Sequence, residues 1–260
     1  MDTIQPQQPV EKPALPKINW AYQAQQYGFA LFVAAILFTV FSWYMAYRSG
    51  SYDLASANKV LADTGALLLG MVFLLGPVSR FFDRFDKYVQ YRKELGIVGC
   101  LVIVTHGLIT AFFLPARFTL VSLYTKSFWP FMFGLAGVLA LVALLFISNN
   151  WAQRKLGTKQ WWRLQNWGIR IIFVLTALHV GFLKWSRWVS WYQSGGAVTS
   201  AHPELPALDL LVGWFIGFIL LVRLAECFGK KVGTIVWYVG LILLLIIYIQ
   251  TFWWGAQFAK

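Results

Sequence analysis

Seven long apolar blocks divide this sequence and constrain its fold more than any other feature. They cover residues 28–47, 61–78, 95–114, 128–147, 164–183, 208–222 and 232–254. A helix needs about 20 apolar residues to cross the hydrocarbon core of a bilayer. Charged residues make up 12% of the chain, roughly half the fraction found in soluble domains. We therefore predict an all-α, polytopic membrane helix bundle with about seven transmembrane helices, and exclude the soluble classes.

Lysine and arginine are spread unevenly over the connections between these blocks. The tail and the connections after the second, fourth and sixth blocks carry 14 of the 22 in the chain, the other connections carry 7, and Arg170 lies inside a block. Since the cytoplasmic side of a membrane protein is the richer one, we predict a cytoplasmic N-terminus and an outer C-terminus. The expected location is the cell inner membrane, with the lipid bilayer as the first partner. The net charge of +12 then reflects orientation, and no nucleic-acid partner is expected.

Two of the three histidines lie inside apolar blocks. His106 and His179 each lie roughly 18–20 Å from the predicted cytoplasmic end, at 1.5 Å per residue. The third and fifth blocks run in the same direction, so the two imidazoles lie at similar depth. Two neutral imidazoles across a flat gap form a bis-histidine haem site. The alternative for each ring is a hydrogen bond to a neighbouring helix. His202, in an outer connection, is expected to be a surface residue.

A second group of residues lies at the inner end of the fifth block. Arg170 is expected to extend toward the interface. The alternative is that Arg170 binds an anionic headgroup, a quinone or a flavin phosphate, with Arg163 and Trp167 in the same pocket. Asp63, Thr64 and Asp209 are predicted to be helix caps. No catalytic residue is predicted.

Three segments resemble the ferric-reductase-like transmembrane domain superfamily. They are residues 92–97 (RKELGI) before His106, residues 153–157 (QRKLG) and 161–166 (WWRLQN) before His179, and residues 64–67 (TGAL) ahead of Gly76 and Pro77. Within that superfamily they are most similar to the haem-binding membrane subunit of the bacterial periplasmic methionine sulfoxide reductase system. The resemblance covers about residues 60–185.

The resemblance implies a six-helix core that binds haem b, in some members with a flavin, and passes electrons across the membrane. It makes His106 and His179 the axial haem ligands. Gln165 stands where many members have a histidine, so one haem is expected rather than two. The implied organisation is a disordered tail (1–22), the haem-binding core (23–227) and an extra transmembrane helix (228–260).

The expected function is that of a membrane b-type cytochrome subunit. A quinol or flavin donor, with FMN or a quinone as the bound group, would reduce the haem, and a periplasmic or membrane redox partner would accept the electrons. No glycine-rich dinucleotide fingerprint occurs, so an FAD or NAD domain of its own is not expected. The alternatives are a haem-containing ferric-chelate reductase and a haem-free membrane scaffold or transporter.

The distribution of charge makes a prediction about topology. A reporter fused after Lys260 should lie outside the cytoplasm, and one inserted near Lys155 should lie inside, because the basic connections face the cytoplasm. Compartment-specific reporter enzymes measure both positions. A cytoplasmic C-terminus would show that the number of spans is wrong, most readily at residues 232–254.

Overall fold

The computed structural model describes residues 19–114, 119, 121–122, 125, 127–194 and 200–258. Over those ranges the chain is helical and has no strand, and seven of its helices are long and apolar enough to cross a membrane. This confirms the predicted polytopic helix bundle. Most of the tail (1–18), and with it Lys12 and Lys17, lies outside the described residues, as do Arg117, Lys126 and Lys260.

The seven spanning helices in the described residues are α1 (Trp20–Ser49), α2 (Leu54–Phe81), α3 (Arg92–Leu108), α4 (Phe128–Ile147), α6 (Thr158–Ser194), α7 (Leu208–Glu226) and α8 (Lys230–Ala256). Five of these seven are longer than the apolar blocks that predict them; α4 has the bounds of its block, and α3 is shorter than its block. A 3₁₀ segment (Asp83–Tyr91) precedes α3, a π-helical turn (Ile109–Phe113) follows it, and the short α5 (Asn150–Leu156) joins α4 to α6. We call the end of the bundle that holds the α2–α3, α4–α6 and α7–α8 connections the basic end.

The ends of α2 and α7 correct the predicted caps. The side chain of Asp53 accepts the Ser56 N–H at 2.8 Å and caps α2, because Asp and Asn side chains satisfy the first N–H groups of a helix. Asp63 and Thr64 therefore lie more than two turns inside α2. Asp209 lies in the first turn of α7, after the N-cap Ala207. The cap predictions for these three residues were wrong.

Helix α2 is the centre of the bundle. It packs against α1, α3, α6, α7 and α8, and 67% of its apolar window is buried, against 11–22% for α1, α3, α4, α6 and α8. Its Leu69 and Phe73 join Phe173 of α6 and Ile219 of α7 in the largest buried apolar cluster. The remaining apolar surface of the outer helices faces outward, as lipid-facing surface does. The neighbours of α2 are thus held at fixed positions around it.

Helix α8 is integrated into the bundle. The Tyr248 hydroxyl donates to the Leu211 carbonyl of α7 at 2.9 Å, and Gly240 packs against the Phe218 ring. Near the other end, the hydroxyls of Tyr192 and Thr251 lie 2.9 Å apart and link α6 to α8. Helix α8, the seventh spanning helix, therefore packs on the same bundle that carries the two intramembrane histidines.

Candidate intramembrane histidine site

His106 is fixed by residue 58 of α2. Its Nδ1 lies 2.9 Å from the backbone oxygen of Asn58 and 3.0 Å from the Asn58 side-chain oxygen. Because both of those atoms are acceptors, Nδ1 carries the proton and donates it. The Asn58 amide in turn donates to Thr110 at 2.8 Å. The Nε2 atom of His106 keeps its lone pair, which is the form of imidazole that binds a metal.

His179 is fixed in the same way by α4. Its Nδ1 donates to the backbone oxygen of Pro130 at 2.7 Å. Gly134 gives the ring its room, since a Cβ atom there would lie 2.7 Å from the same Nδ1. The Nε2 atom of His179 is again the one left for a ligand. The two rings thus have the same tautomer, each set by a backbone carbonyl.

The helices that carry the two rings have almost no close backbone contact with each other. Helix α3 packs mainly on α2, and α6 packs mainly on α4. Both imidazoles are half-buried, and they lie close enough to interact electrostatically. Gly107 and Gly181, near the two rings along the chain, have open space where a Cβ would stand.

The donor set fits the iron of a haem better than a bare metal ion. Two neutral imidazoles are the axial ligands of a low-spin b-type haem, whose other four ligands come from the porphyrin. Within the described ranges, no group of three or more His, Cys, Asp or Glu residues could hold a metal ion. A metal bound by His106 and His179 would therefore need the remaining ligands from a cofactor.

A buried polar cluster beyond His179 was missed by the sequence reasoning. Lys184 of α6 forms an ion pair with Asp209 at 2.5 Å, and the Trp188 indole donates to the same carboxylate at 3.1 Å. Asp63 of α2 is buried and interacts electrostatically with Lys184 and Asp209. The isolated sequence signal was weak, because Lys184 follows the fifth apolar block and reads as an interfacial residue.

Asn58 was missed for a similar reason. It precedes the second apolar block, which begins at residue 61, so the sequence places it outside the membrane. In the structure α2 begins at Leu54, and Asn58 is only 3% exposed. The sequence signal that would have found it is an asparagine one turn before an apolar block, where the helix can extend beyond the block.

A cavity of about 350 Å³ lies at the basic end between α3, α4 and α6. Its lining mixes apolar residues with amides, indoles and cations, including Gln90, Arg92, Asn149, Gln153, Trp161 and Gln165. Gln165 donates to the Ser148 hydroxyl at 2.9 Å. The sequence contains no pattern that predicts this space, which depends on how the three helices pack.

None of the three predicted cofactor residues of α6 lines that cavity. Arg163 is exposed, and Trp167 is 59% exposed. The guanidinium of Arg170 lies 5.2 Å from the centre of the Trp167 ring, with its Nε buried. The structure thus brings Trp167 and Arg170 together, and leaves Arg163 on the outer surface.

Comparison with known families agrees with the superfamily resemblance. Residues 61–177 match the family described as the ferric reductase like transmembrane component. The match includes His106 and ends two residues before His179. No individual curated protein matches the chain. The matched region covers α2 from residue 61 onward, all of α3 and α4 and more than half of α6. It therefore includes His106 but not Asn58 or His179.

The hydrogen bonds of Asn58 generate a testable prediction. Asn58→Ala should lower the free energy of unfolding by about 1–3 kcal/mol, because Thr110 and His106 lose a buried side-chain partner. Thr105→Ala is the matched control: Thr105 is exposed beside His106 and bonds only to Leu101 of its own helix. Thermal unfolding in detergent measures both. Equal losses in the two variants would contradict the assigned role of Asn58.

Proposed function

We propose that this chain is the haem-binding membrane subunit of an electron-transfer system. His106 and His179 would hold one haem b, which would carry electrons from a quinol or flavin donor at the basic end. An acceptor beyond the opposite end, a periplasmic or membrane redox partner, receives them. The observation that carries this proposal is the matched pair of imidazoles. In each ring the Nδ1–H donates to a backbone carbonyl, and Nε2 is left for iron.

The chain's own residues position and insulate this site. The carbonyls of Asn58 and Pro130 hold each ring in one tautomer and one orientation, and such outer contacts raise the basicity of the ligating nitrogen. Gly134 lets α4 approach the His179 ring. The bound haem supplies one-electron redox chemistry. The surrounding apolar helices keep water from it, which favours electron transfer over side reactions.

The cavity at the basic end supports binding of the donor there. Its volume is within the range of small-molecule sites, and its amides and indoles suit a planar ring with polar edges. Gln165 lines it at the position where related chains have a histidine. We therefore place the quinol or flavin here, with Arg92 as the adjacent cation, in preference to the outer surface near Arg163.

The proposed system is that of the bacterial periplasmic methionine sulfoxide reductases, in the inner membrane with the basic end in the cytoplasm. The segments before His106 and His179 support this branch, and the family match supports the wider superfamily.

Axial ligation is tested by substitution. His106→Ala and His179→Ala should each abolish the low-spin b-type absorption spectrum, because each removes one of two axial ligands. His202→Ala should leave the spectrum intact, since that ring stacks on Tyr47 and lies 3.0 Å from Glu204. The spectrum is recorded on reduced purified protein.

A milder pair of variants separates ligation from general damage to the fold. Gly134→Ala should alter the spectrum by displacing the His179 ring, whereas Gly137→Ala should not, because a Cβ there meets only Leu175 at 3.7 Å. An unchanged spectrum in either histidine variant would refute the assignment. Protein purified without any haem would favour the scaffold or transporter alternative.

The number of haems follows from the shortage of further ligands. At the basic end α6 offers Gln165, which is bonded to Ser148, and α3 offers the cations Arg92 and Lys93. We expect a haem-to-protein ratio of about one in a pyridine haemochrome assay, and no change in Gln165→Ala. A ratio of two would contradict the single site and require an unconventional ligand.

A further inference from the structure

Four arginines gather around one carboxylate at the basic end. Glu226 of α7 accepts from Arg80 at 2.7 Å through one oxygen and from Arg223 at 2.7 Å through the other. Arg92 of α3 and Arg170 of α6 interact electrostatically with Arg223. We call Arg80, Arg92, Arg170 and Arg223 the arginine cluster. Four different helices therefore contribute cations or the carboxylate to one place.

The cluster converges beside Gly76 of α2. A Cβ atom on Gly76 would lie 3.4 Å from Nη2 of Arg223 and 3.8 Å from Nη1 of Arg92, so the two guanidiniums flank the same small space. The Arg223 guanidinium lies 4.0 Å from the centre of the Phe73 ring. That ring packs on Phe173 at 4.8 Å.

Arg170 reaches the cluster because of its position on α6. It lies three residues before Phe173, which places both side chains on one face of the helix. The contact of Phe173 with Phe73 turns that face toward α2. The Arg170 side chain therefore projects toward the basic end from just below the aromatic pair, next to Arg92 and Arg223.

The charges of the cluster are not balanced by the protein. Arg80 and Arg223 already use both oxygens of Glu226. In the described ranges no carboxylate bonds to Arg92 or Arg170. The Nε atoms of Arg170 and Arg223 are buried without a hydrogen-bond partner, and the Arg223 side chain is only 10% exposed. Buried charges that lack a partner are costly.

We propose that the arginine cluster binds a phosphate group, and that its source is the headgroup of an anionic phospholipid. The planar guanidinium matches phosphate oxygens in a bidentate geometry. Arg80, Arg92 and Glu226 lie at the ends of their helices, at the depth of the headgroups. Basic pockets between transmembrane helices are typical sites for such lipids. The 62% exposed side chain of Arg80 marks the open side of the site.

Lipid binding is measured on full-length protein purified in mild detergent and stripped of lipid. Native mass spectrometry then counts phosphatidylglycerol and phosphatidylcholine of identical chains during titration. We expect one phosphatidylglycerol to bind at least about tenfold more tightly than phosphatidylcholine. Arg92→Gln and Arg170→Gln should each weaken that binding about tenfold or more, since each removes charge-assisted hydrogen bonds.

The matched control is Arg154→Gln, which removes an exposed arginine from the same end of the bundle. It should leave phosphatidylglycerol binding unchanged. Helicity by circular dichroism checks that every variant is folded, and Arg92→Gln alone decides if Arg170→Gln does not fold.

A titration with inorganic phosphate separates the two sources of the anion. Displacement of phosphatidylglycerol by millimolar phosphate, weakened in Arg92→Gln and Arg170→Gln, would support the anion site. It would also show that the ligands of the site include soluble phosphates. The proposal is overturned if wild-type protein shows no preference for the anionic lipid. It is equally overturned if Arg154→Gln weakens binding as much as the cluster variants.

Discussion

A polar group inside a bilayer must find its partner within the protein, since no water is present to replace it. The two intramembrane histidines meet this requirement through the backbone oxygens of Asn58 and Pro130. Lys184 and Asp209 meet it through each other. These contacts join α3 to α2, α6 to α4 and α6 to α7. Helix packing alone would permit many small rotations of each helix, and these directional bonds select one.

Helix α2 connects the two functional regions of the bundle. Asn58, near one end, orients the His106 ring, while Phe73 and Gly76, near the other, support the arginine cluster. The eighteen residue steps from 58 to 76 span about 27 Å at 1.5 Å per residue. The most buried helix is thus the common support for the histidine site and for the basic end. Its buried position explains why it carries few charges and several small residues.

The sequence predicted the parts of this protein that depend on local pattern. Apolar blocks predicted the number of spans, and two histidines at equal predicted depth led to the hypothesis of a paired site. The structure places His106 on α3 and His179 on α6. Asp63 was misread as a cap because helices extend beyond their apolar blocks. Arg163, Trp167 and Arg170 were predicted as one group, but the structure brings only Trp167 and Arg170 together and leaves Arg163 on the outer surface. The neighbours of these α6 residues depend on the packing of segments that are distant in the sequence. The cavity near Gln165 depends entirely on that packing.

The length of helix α6 has a mechanical consequence. Its 37 residues, Thr158–Ser194, make a continuous rod of about 55 Å, whereas the hydrocarbon layer is about 30 Å thick. Such a rod must tilt or project from the lipid. Because it is unbroken, any change in its tilt also moves His179 relative to the membrane surfaces. The thickness of the surrounding bilayer therefore acts on the depth of His179 and on the height of Trp185 above the lipid.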